Sequence, residues 1–493
     1  MAEITNSNSE RPFAVPTYIW ILLAMLALGA YFAGLNLPLV GPDEPRYAQV
    51  AREMFERGDW ITPTLGGHTW FEKPALLYWF EIVAYTLFGV NEFAARLGPA
   101  VCGLGTAVAL WMLGRTTKAI DSLPNWLAII ALSTFGILVF AHGASFDIVI
   151  TFTVTAAMVS FYIFDRTKRQ TALVSFYVFV GLSLLAKGLI GIVFPFGIIL
   201  LYYSVCRRWP DRAFWYSLVW GTLITSIVAA TWYVPVYLQN GWPFIDEFII
   251  QHHFQRFISN KYQHPQPFYF YLWVFPLMLL PWLPFFVAAI VSFIRNKMLG
   301  GSDSASEACS LRIFAFAWLV MPIAFFSISG SKLPGYILPA VPGGIIIIGL
   351  WVSHAASRWA KVSLGLSGTV LAGALVLILT VVPRFADAES IKPLMAAANQ
   401  RGFTSERVFA VHCVPHGAEF YAGGDRLLRD SLGNQKKLYS GAELKFEMER
   451  AGVTRALVII PKVYPDDITV SKFLGNQFLA ESGELAIYLV ELR

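Results

Sequence analysis

Long apolar runs separated by short polar connections dominate the chain as far as about Val382, and there the pattern changes. After the polar stretch Met1–Arg11, the first run extends from Ala14 to Val40. It is longer than the core of a cleavable signal and shows no small-residue cleavage site before the next polar motif, so it predicts a retained transmembrane helix. Further runs lie at about Phe93–Leu113, Trp126–Ala141, Ile148–Phe164, Ala172–Leu185, Leu189–Val205, Phe214–Leu238, Phe268–Ile294, Ile313–Ile328, Leu333–Val352 and Val362–Val382. Together they predict about eleven spans, each near the ~20 residues that a ~30 Å hydrocarbon core demands. Pro74–Val90 is apolar too but carries Glu81, which predicts an interfacial or re-entrant helix. Counting it as a span disturbs the parity, and about thirteen is the upper bound on the total.

From about Arg384 the pattern becomes that of a soluble α/β domain of about 110 residues. Arg407–His412 and Ala456–Ile460 predict buried strands, Ala442–Ala451 and Asp466–Leu474 predict helices, and Glu484–Leu492 predicts a closing edge strand. The expected organisation is a membrane domain over residues 1–383, with outside loops at 41–74 and 239–267, then a soluble domain over 384–493.

Composition agrees with the pattern. Of 493 residues 56% are hydrophobic and 14% charged, where a soluble protein carries about a quarter charged. Such a chain is an integral membrane protein; disorder and a disulfide scaffold are excluded. The net charge of +5 lies entirely in the membrane part, because the segment from Arg384 holds 14 basic and 14 acidic residues. No basic tract resembles a nucleic-acid groove, so no nucleic-acid partner is expected. The excess sits in alternate connections: Arg115 and Lys118; Arg166, Lys168 and Arg169; Arg207, Arg208 and Arg212; Arg295, Lys297 and Arg312; Arg358 and Lys361. These share one side if Pro74–Val90 does not cross, and the positive-inside rule makes that side cytoplasmic. Gly41–Pro74, His142–Asp147, Ala186–Gly188, Gln239–Pro267, Ser329–Lys332 and the C-terminal domain then face the other way. Cys102, Cys206, Cys309 and Cys413 fall in separate environments, which predicts no disulfide.

The outside connections hold most of the polar residues that need explaining. In Gly41-Pro42-Asp43-Glu44-Pro45-Arg46-Tyr47, Gly and Pro end the first span and the acids can cap the next helix. Capping accounts for one acid and leaves a second, beside Arg46 at the lipid border, as a candidate general base. Trp70-Phe71-Glu72-Lys73-Pro74 reads plainly as an aromatic belt with a local ion pair. Adjacent residues do not face each other on a helix, so Glu72 and Lys73 are expected to meet different partners. Asp147 opens a span from the outside, where an acid either caps the helix or leans into a watery cavity.

In Gln251-His252-His253-Phe254-Gln255-Arg256-Phe257, a helix would put both histidines on the face of Arg256, and Arg forks onto phosphate. In Ser331-Lys332-Leu333-Pro334-Gly335-Tyr336, Lys332 can reach headgroups, while the Tyr336 hydroxyl needs a polar partner. His412, Cys413 and His416 carry the letters of a metal site, but beside a strand they read first as packing. A cavity open to the outer face and to lipid would suit a phosphorylated lipid whose tail stays in the bilayer. Cations would hold its phosphate and an acid would deprotonate an incoming hydroxyl. No Walker-type loop and no Gly-x-Gly-x-x-Gly after a strand calls for a nucleotide.

Asp43-Glu44-Pro45-Arg46-Tyr47-Ala48, Glu53-Met54, Gly58-Asp59-Trp60 and Phe71-Glu72-Lys73-Pro74 closely resemble the first outside loop of the bacterial aminoarabinose (lipid A) transferases. Those enzymes stand with the protein O-mannosyltransferases among the GT-C polyprenyl-phosphate-sugar glycosyltransferases. His253 to Phe257 and Ser331-Lys332-Leu333-Pro334 with Tyr336 are similar to later motifs of the group, in the same order. The resemblance implies an α-helical polytopic membrane protein of GT-C type, about 11–13 transmembrane helices, with a C-terminal periplasmic α/β domain. It implies Asp43 as the catalytic acid, supported by Arg46 and Tyr47, with Asp147 as second cavity acid. Glu72 and Lys73 become cavity residues, the lysine near the lipid phosphate, with His253 a metal or phosphate ligand and Tyr336 a phosphate contact. Arg256 and Lys332 are added here from the residues themselves as phosphate cations.

The function implied is inverting transfer of a sugar from an undecaprenyl (polyprenyl) phosphate carrier to a lipid acceptor, lipid A or lipopolysaccharide, at the periplasmic face of the bacterial inner membrane. Two alternatives stay open: the same chemistry on a protein acceptor, and a transporter of lipid-linked sugars. No cofactor is required, although Glu72 and His253 could share a divalent ion with substrate oxygens.

Overall fold

Backbone polar groups in hydrocarbon must bond within their own segment, and each apolar run accordingly winds into a helix. The computed structural model describes residues 15–117, 120–255, 266–298, 307–430, 433–469 and 474–492. Helix α1 (Thr17–Phe32) leads to the amphipathic α2 (Asp43–Arg57), a small hairpin of β1 (Thr64–Leu65) and β2 (His68–Thr69), and α3 (Leu76–Phe88). There follow α4 (Glu92–Thr116), α5 (Leu123–Leu132), α6 (Phe135–Ala141), α7 (Phe146–Thr167), α8 (Gln170–Lys187), α9 (Ile190–Cys206) and α10 (Arg212–Asn240). A π-helical stretch Ile245–Gln255 precedes α11 (Tyr271–Met278), α12 (Leu283–Met298) and α13 (Glu307–Ile328). The 3-10 segment Pro334–Ala340, α14 (Val341–His354) and α15 (Ser357–Thr380) complete the membrane part.

Among the described residues seven helices are long and apolar enough to cross a membrane, or nine if each of two bent pairs is one span. The shorter apolar helices α1 and α9 bring the set to the eleven runs read from the sequence. Helix α3 is different. It stays on α2, with the Tyr85 hydroxyl donating to the Ala48 carbonyl (3.1 Å) and the Trp79 indole to that of Trp60 (2.8 Å). Glu92, at the start of α4, meets Tyr421 and Lys392 of the C-terminal domain at 3.0 and 2.6 Å. Both ends of α3 therefore lie at the outer face, and the side assignment holds with α3 uncrossed.

The bent pairs are α5–α6, at 56°, and α11–α12, at 111°. Their breaks meet, for the Phe135 N–H donates to the Leu280 carbonyl at 2.8 Å and the Trp282 indole to the Ser133 hydroxyl at 3.2 Å. Backbone freed inside the bilayer is thus satisfied by the neighbouring break. Beside this junction a groove of about 170 Å³ is lined by Phe135, Val139, Trp273, Leu277 and Pro334 among others.

The soluble domain runs α16 (Val382–Glu389), α17 (Lys392–Gln400), β3 (Val408–Val411), α18 (Ala418–Tyr421), β4 (Lys437–Leu438), α19 (Gly441–Arg450), β5 (Arg455–Pro461), α20 (Asp466–Thr469), β6 (Leu474–Ser482) and β7 (Leu485–Leu492). The sheet order is β4-β3-β5-β7-β6, parallel on either side of β3 and antiparallel on either side of β7. Central β5 packs Leu457 and Ile459 into one apolar layer and Ala456, Val458 and Ile460 into the other. Two expectations are corrected. Strand β7 is interior rather than an edge, and the helix expected over Asp466–Leu474 closes at Thr469, with Leu474 opening β6. Strand β6 escaped notice because Asn476, Gln477 and Phe478 all face solvent, which blurs its alternation. Gly483, at φ +54 in the β6–β7 turn, closes the hairpin.

Candidate active site

The paired acids at the start of α2 separate by environment. Glu44 turns inward and receives the Arg96 guanidinium at 3.0 and 2.8 Å, the Val40 N–H at 3.0 Å and the Ala144 N–H at 2.8 Å. Burial pushes its carboxyl up, but Arg96 and the two amides outweigh that and hold it below the usual range. Arg96 also donates to the carbonyls of Leu35 and Pro38, so Glu44 and Arg96 pin the α1–α2 turn onto α4 and the α6–α7 turn. Asp43 is left outward, its side chain 59% exposed, in a loose 3.7 Å pair with Arg46. The Arg46 guanidinium stacks over Trp70, 5.4 Å from the ring centre.

Asp147 lies at the outer start of α7, with Ser145 capping its N–H at 3.1 Å. Its carboxylate pairs with Lys187, the last residue of α8, whose ammonium lies 4.7 Å from the centre of the Tyr336 ring. Gly335 makes this approach possible: a Cβ there would stand 2.0 Å from Asp147 Oδ2 and 2.8 Å from Phe140. Space, rather than backbone freedom, requires the glycine.

Between the acids stands an aromatic wall. Tyr47 and Tyr78 each meet Phe146 edge-on, at 4.9 and 5.3 Å. Burial first, then the charges of Glu72 and Asp43, push the Tyr47 hydroxyl well above its ordinary value, and Asp147 adds to the effect. Tyr47 therefore feels three acids that are far apart in sequence. Nearby, the buried Tyr78 hydroxyl and Trp70 indole nitrogen have no hydrogen-bond partner among the described residues.

Lys73 bonds Glu72 directly at 2.7 Å, which corrects the expectation of separate partners. Residues 71–75 form a turn, so the helical rule that keeps neighbours apart does not apply. The Phe71 N–H donates to Glu247 at 3.1 Å, docking the 245–255 loop on this turn, and burial pushes the Glu247 carboxyl up. That loop is π-helical through Gln255; the side chain of His253 and all of Arg256 lie outside the described residues. Lys332 is buried, its ammonium donating to the carbonyls of Gln266 (3.1 Å) and Ser329 (2.6 Å). Among the described residues no three of His, Cys, Asp and Glu gather as a metal site, and Glu72 already holds Lys73. His412 bonds Asp467 and the Cys413 thiol points to the Ile459 carbonyl, so those two letters do pack, as read.

Comparison with known proteins gives this arrangement a lineage. The family model for dolichyl-phosphate-mannose-protein mannosyltransferase matches residues 15–249. The undecaprenyl phosphate-alpha-4-amino-4-deoxy-L-arabinose arabinosyl transferase of Edwardsiella ictaluri is 30% identical over 67% of this chain and 59% of its own length. Its counterpart in Yersinia enterocolitica is 30% identical over 71% of this chain and 62% of its own. The chain is thus similar, over its membrane part, to the aminoarabinose transferases and to the mannosyltransferase family. It spans about three fifths of the length of the curated relatives it matches. The fold agrees: the crystal structure of ArnT from Cupriavidus metallidurans bound to undecaprenyl phosphate superposes with a TM-score of 0.81, covering 96% of this chain and 98% of that one at 20% identity. The GT-C membrane part and the C-terminal sheet domain are both present, in a multi-pass membrane protein.

Within this fold, three residues at the site carry no motif in the sequence. Lys187 carries the clearest signal, a cation in a short outside link where the positive-inside bias disfavours one. Tyr78 lies in an apolar helix and resembles any core aromatic. Arg96 is the third, hidden in a membrane span where its need for a carboxylate partner was the available clue.

Proposed function

We propose that the protein transfers a sugar from a polyprenyl phosphate, of undecaprenyl type, to a lipid acceptor such as lipid A at the periplasmic face of the inner membrane. The observation that carries this reading is the convergence of an open acid, Asp43, with a second acid–cation pair, Asp147–Lys187, at one end of the helix bundle. The apolar groove lined by Phe140 and Pro334 lies beside Gly335 and Asp147, and a prenyl tail fits its chemistry. Relatives named as undecaprenyl phosphate aminoarabinose arabinosyl transferases support the donor class.

The chemistry is a single displacement. An acceptor hydroxyl attacks the anomeric carbon as the carbon–oxygen bond to phosphate breaks, and Asp43 takes the hydroxyl proton. The leaving phosphate is already ionised, so it needs positive charge rather than a proton. Lys73 and Lys187 supply it, with Tyr336 beside Lys187. Asp147 orients Lys187, and Glu72 orients Lys73. Sugar hydroxyls would find donors in Tyr78 and Trp70. A divalent ion at Glu72 and His253 is a separate proposal, tested by whether transfer survives exhaustive chelation.

The test is purified protein incubated with undecaprenyl-phosphate aminoarabinose and lipid A, the products weighed by mass spectrometry. A mass gain of one sugar on lipid A supports the reading, and its absence with intact donor rejects that acceptor. The family model, named for a protein mannosyltransferase, favours one second reading, a protein acceptor, for which the same assay with membrane proteins would show glycopeptides.

A further inference from the structure

The soluble domain offers a binding place that the proposed chemistry has not used. Strand β3 runs parallel to β4 on one side and β5 on the other, and the chain visits β4 before crossing to β5. In open α/β sheets, ligands bind beyond the carboxyl ends of strands where connections diverge in this way. Here that place is the loop 412–417 at the end of β3, and it is turned toward the membrane domain.

Two anchors hold the loop. On one side His412, left-handed at φ +59, bonds Asp467 and stacks on Tyr464 at 4.6 Å. On the other, α18 packs on α2: the Phe420 carbonyl accepts from Arg52 at 3.4 Å, and the Tyr421 hydroxyl accepts the Leu39 N–H at 2.7 Å. His416 stands between the anchors with its side chain exposed, within the electrostatic reach of both Arg46 and Asp43. Desolvation and then Arg46 pull its imidazole below the ordinary histidine value, while Asp43 acts the other way. The ring is therefore neutral near pH 7, able to donate through one nitrogen and accept through the other. Arg46 is only loosely paired with Asp43, so its guanidinium fork keeps donors for an oxygen-rich group.

We propose that His416 and Arg46 together form the acceptor-head-group site, in which the C-terminal domain helps hold the oxygen-rich polar head of the lipid acceptor so that its hydroxyl faces Asp43. The inference rests on the transferase reading and assigns the acceptor side of that same site. The donor-phosphate side is carried by other elements, Lys187 at the end of α8 and Tyr336 in the 334–340 segment. The C-terminal domain thereby becomes part of acceptor selection.

The full-length protein in detergent, treated with diethylpyrocarbonate and read peptide by peptide by mass spectrometry, tests this. Lipid A should slow modification of His416 severalfold, and undecaprenyl phosphate alone should not. In transfer kinetics His416→Ala should raise the acceptor KM about tenfold, the loss of one hydrogen bond, with kcat and donor KM unchanged. His416→Gln, which keeps a donor and an acceptor atom, should recover most of that loss. Labelling of His416 unaffected by lipid A, equal protection by undecaprenyl phosphate, or an unchanged acceptor KM in His416→Ala would each overturn the proposal. Protection by lipid A without any transfer product would uphold the lipid site and overturn the transferase reading.

Discussion

Helix α7 carries an aspartate near each end, and both meet a cation and tyrosines. At the inner end Asp165 pairs with Arg208 and accepts from the hydroxyls of Tyr202 (3.1 Å) and Tyr203 (3.0 Å). At the outer end Asp147 pairs with Lys187, under Tyr336. At 1.5 Å per residue the two lie about 27 Å apart, close to the thickness of the hydrocarbon core. The inner cluster is closed: Asp165 is 1% exposed and both its oxygens are bonded. The outer cluster is open, with Asp147 20% exposed, a glycine where a side chain would stand, and buried donors nearby without partners among the described residues. Similar residue types serve as glue where every valence is met within the protein, and keep bonding capacity for a ligand where some are left over.

The largest expected effect breaks the comparison at its open end. Asp43→Asn keeps the shape and removes the base, so transfer should fall by roughly 10²–10⁴ while the melting temperature stays put. Full turnover in that variant would dismiss Asp43 as the base. Next, Lys187→Ala strips Asp147 of its cation and the leaving phosphate of a charge, and kcat should drop on the order of 10². Normal kcat there would make the outer pair another piece of glue.

At the inner end Asp165→Ala leaves Arg208 and two tyrosine hydroxyls without their acceptor. Stability should fall by about 2 kcal/mol, seen as a lower melting temperature in detergent, with kcat of the folded fraction unchanged. A loss of kcat without a loss of stability would erase the contrast between the two ends. The smallest effect belongs to Glu44, whose folded carboxyl is held below its ordinary 4.5. A depressed acid contributes stability above its unfolded value, and that contribution is lost as pH falls through the folded value. Melting temperature should therefore hold above about pH 4.5 and decline below it, and Glu44→Gln should lack that part of the decline. Parallel acid profiles for the two proteins would show that Glu44 has no such role.

The membrane architecture was readable because its cause is local. Each span declares itself by length and hydropathy, and the lysine and arginine bias of alternate loops sets their side. The loop from Gly41 to Pro74 also stood out locally, since charged groups at a lipid border are costly and need a reason. The division of labour between Asp43 and Glu44 was not readable. It depends on Arg96, 52 residues beyond Glu44, and on an amide of the α6–α7 turn. The Glu72–Lys73 pair departs from the sequence expectation because residues 71–75 form a turn, where the separation of helical neighbours does not hold.

By itself the sequence determined the number of spans, their direction, the existence of a sheet domain after Arg384 and the face on which chemistry gathers. These follow from the free energy of moving each segment between water and lipid, a sum over neighbouring residues. Only the tertiary structure decided which acid is locked and which is open, that Lys187 belongs to Asp147, and that His416 comes within electrostatic reach of Arg46. Those facts depend on contacts between residues tens to hundreds of positions apart, and burial and pairing there set the charge and availability of each group.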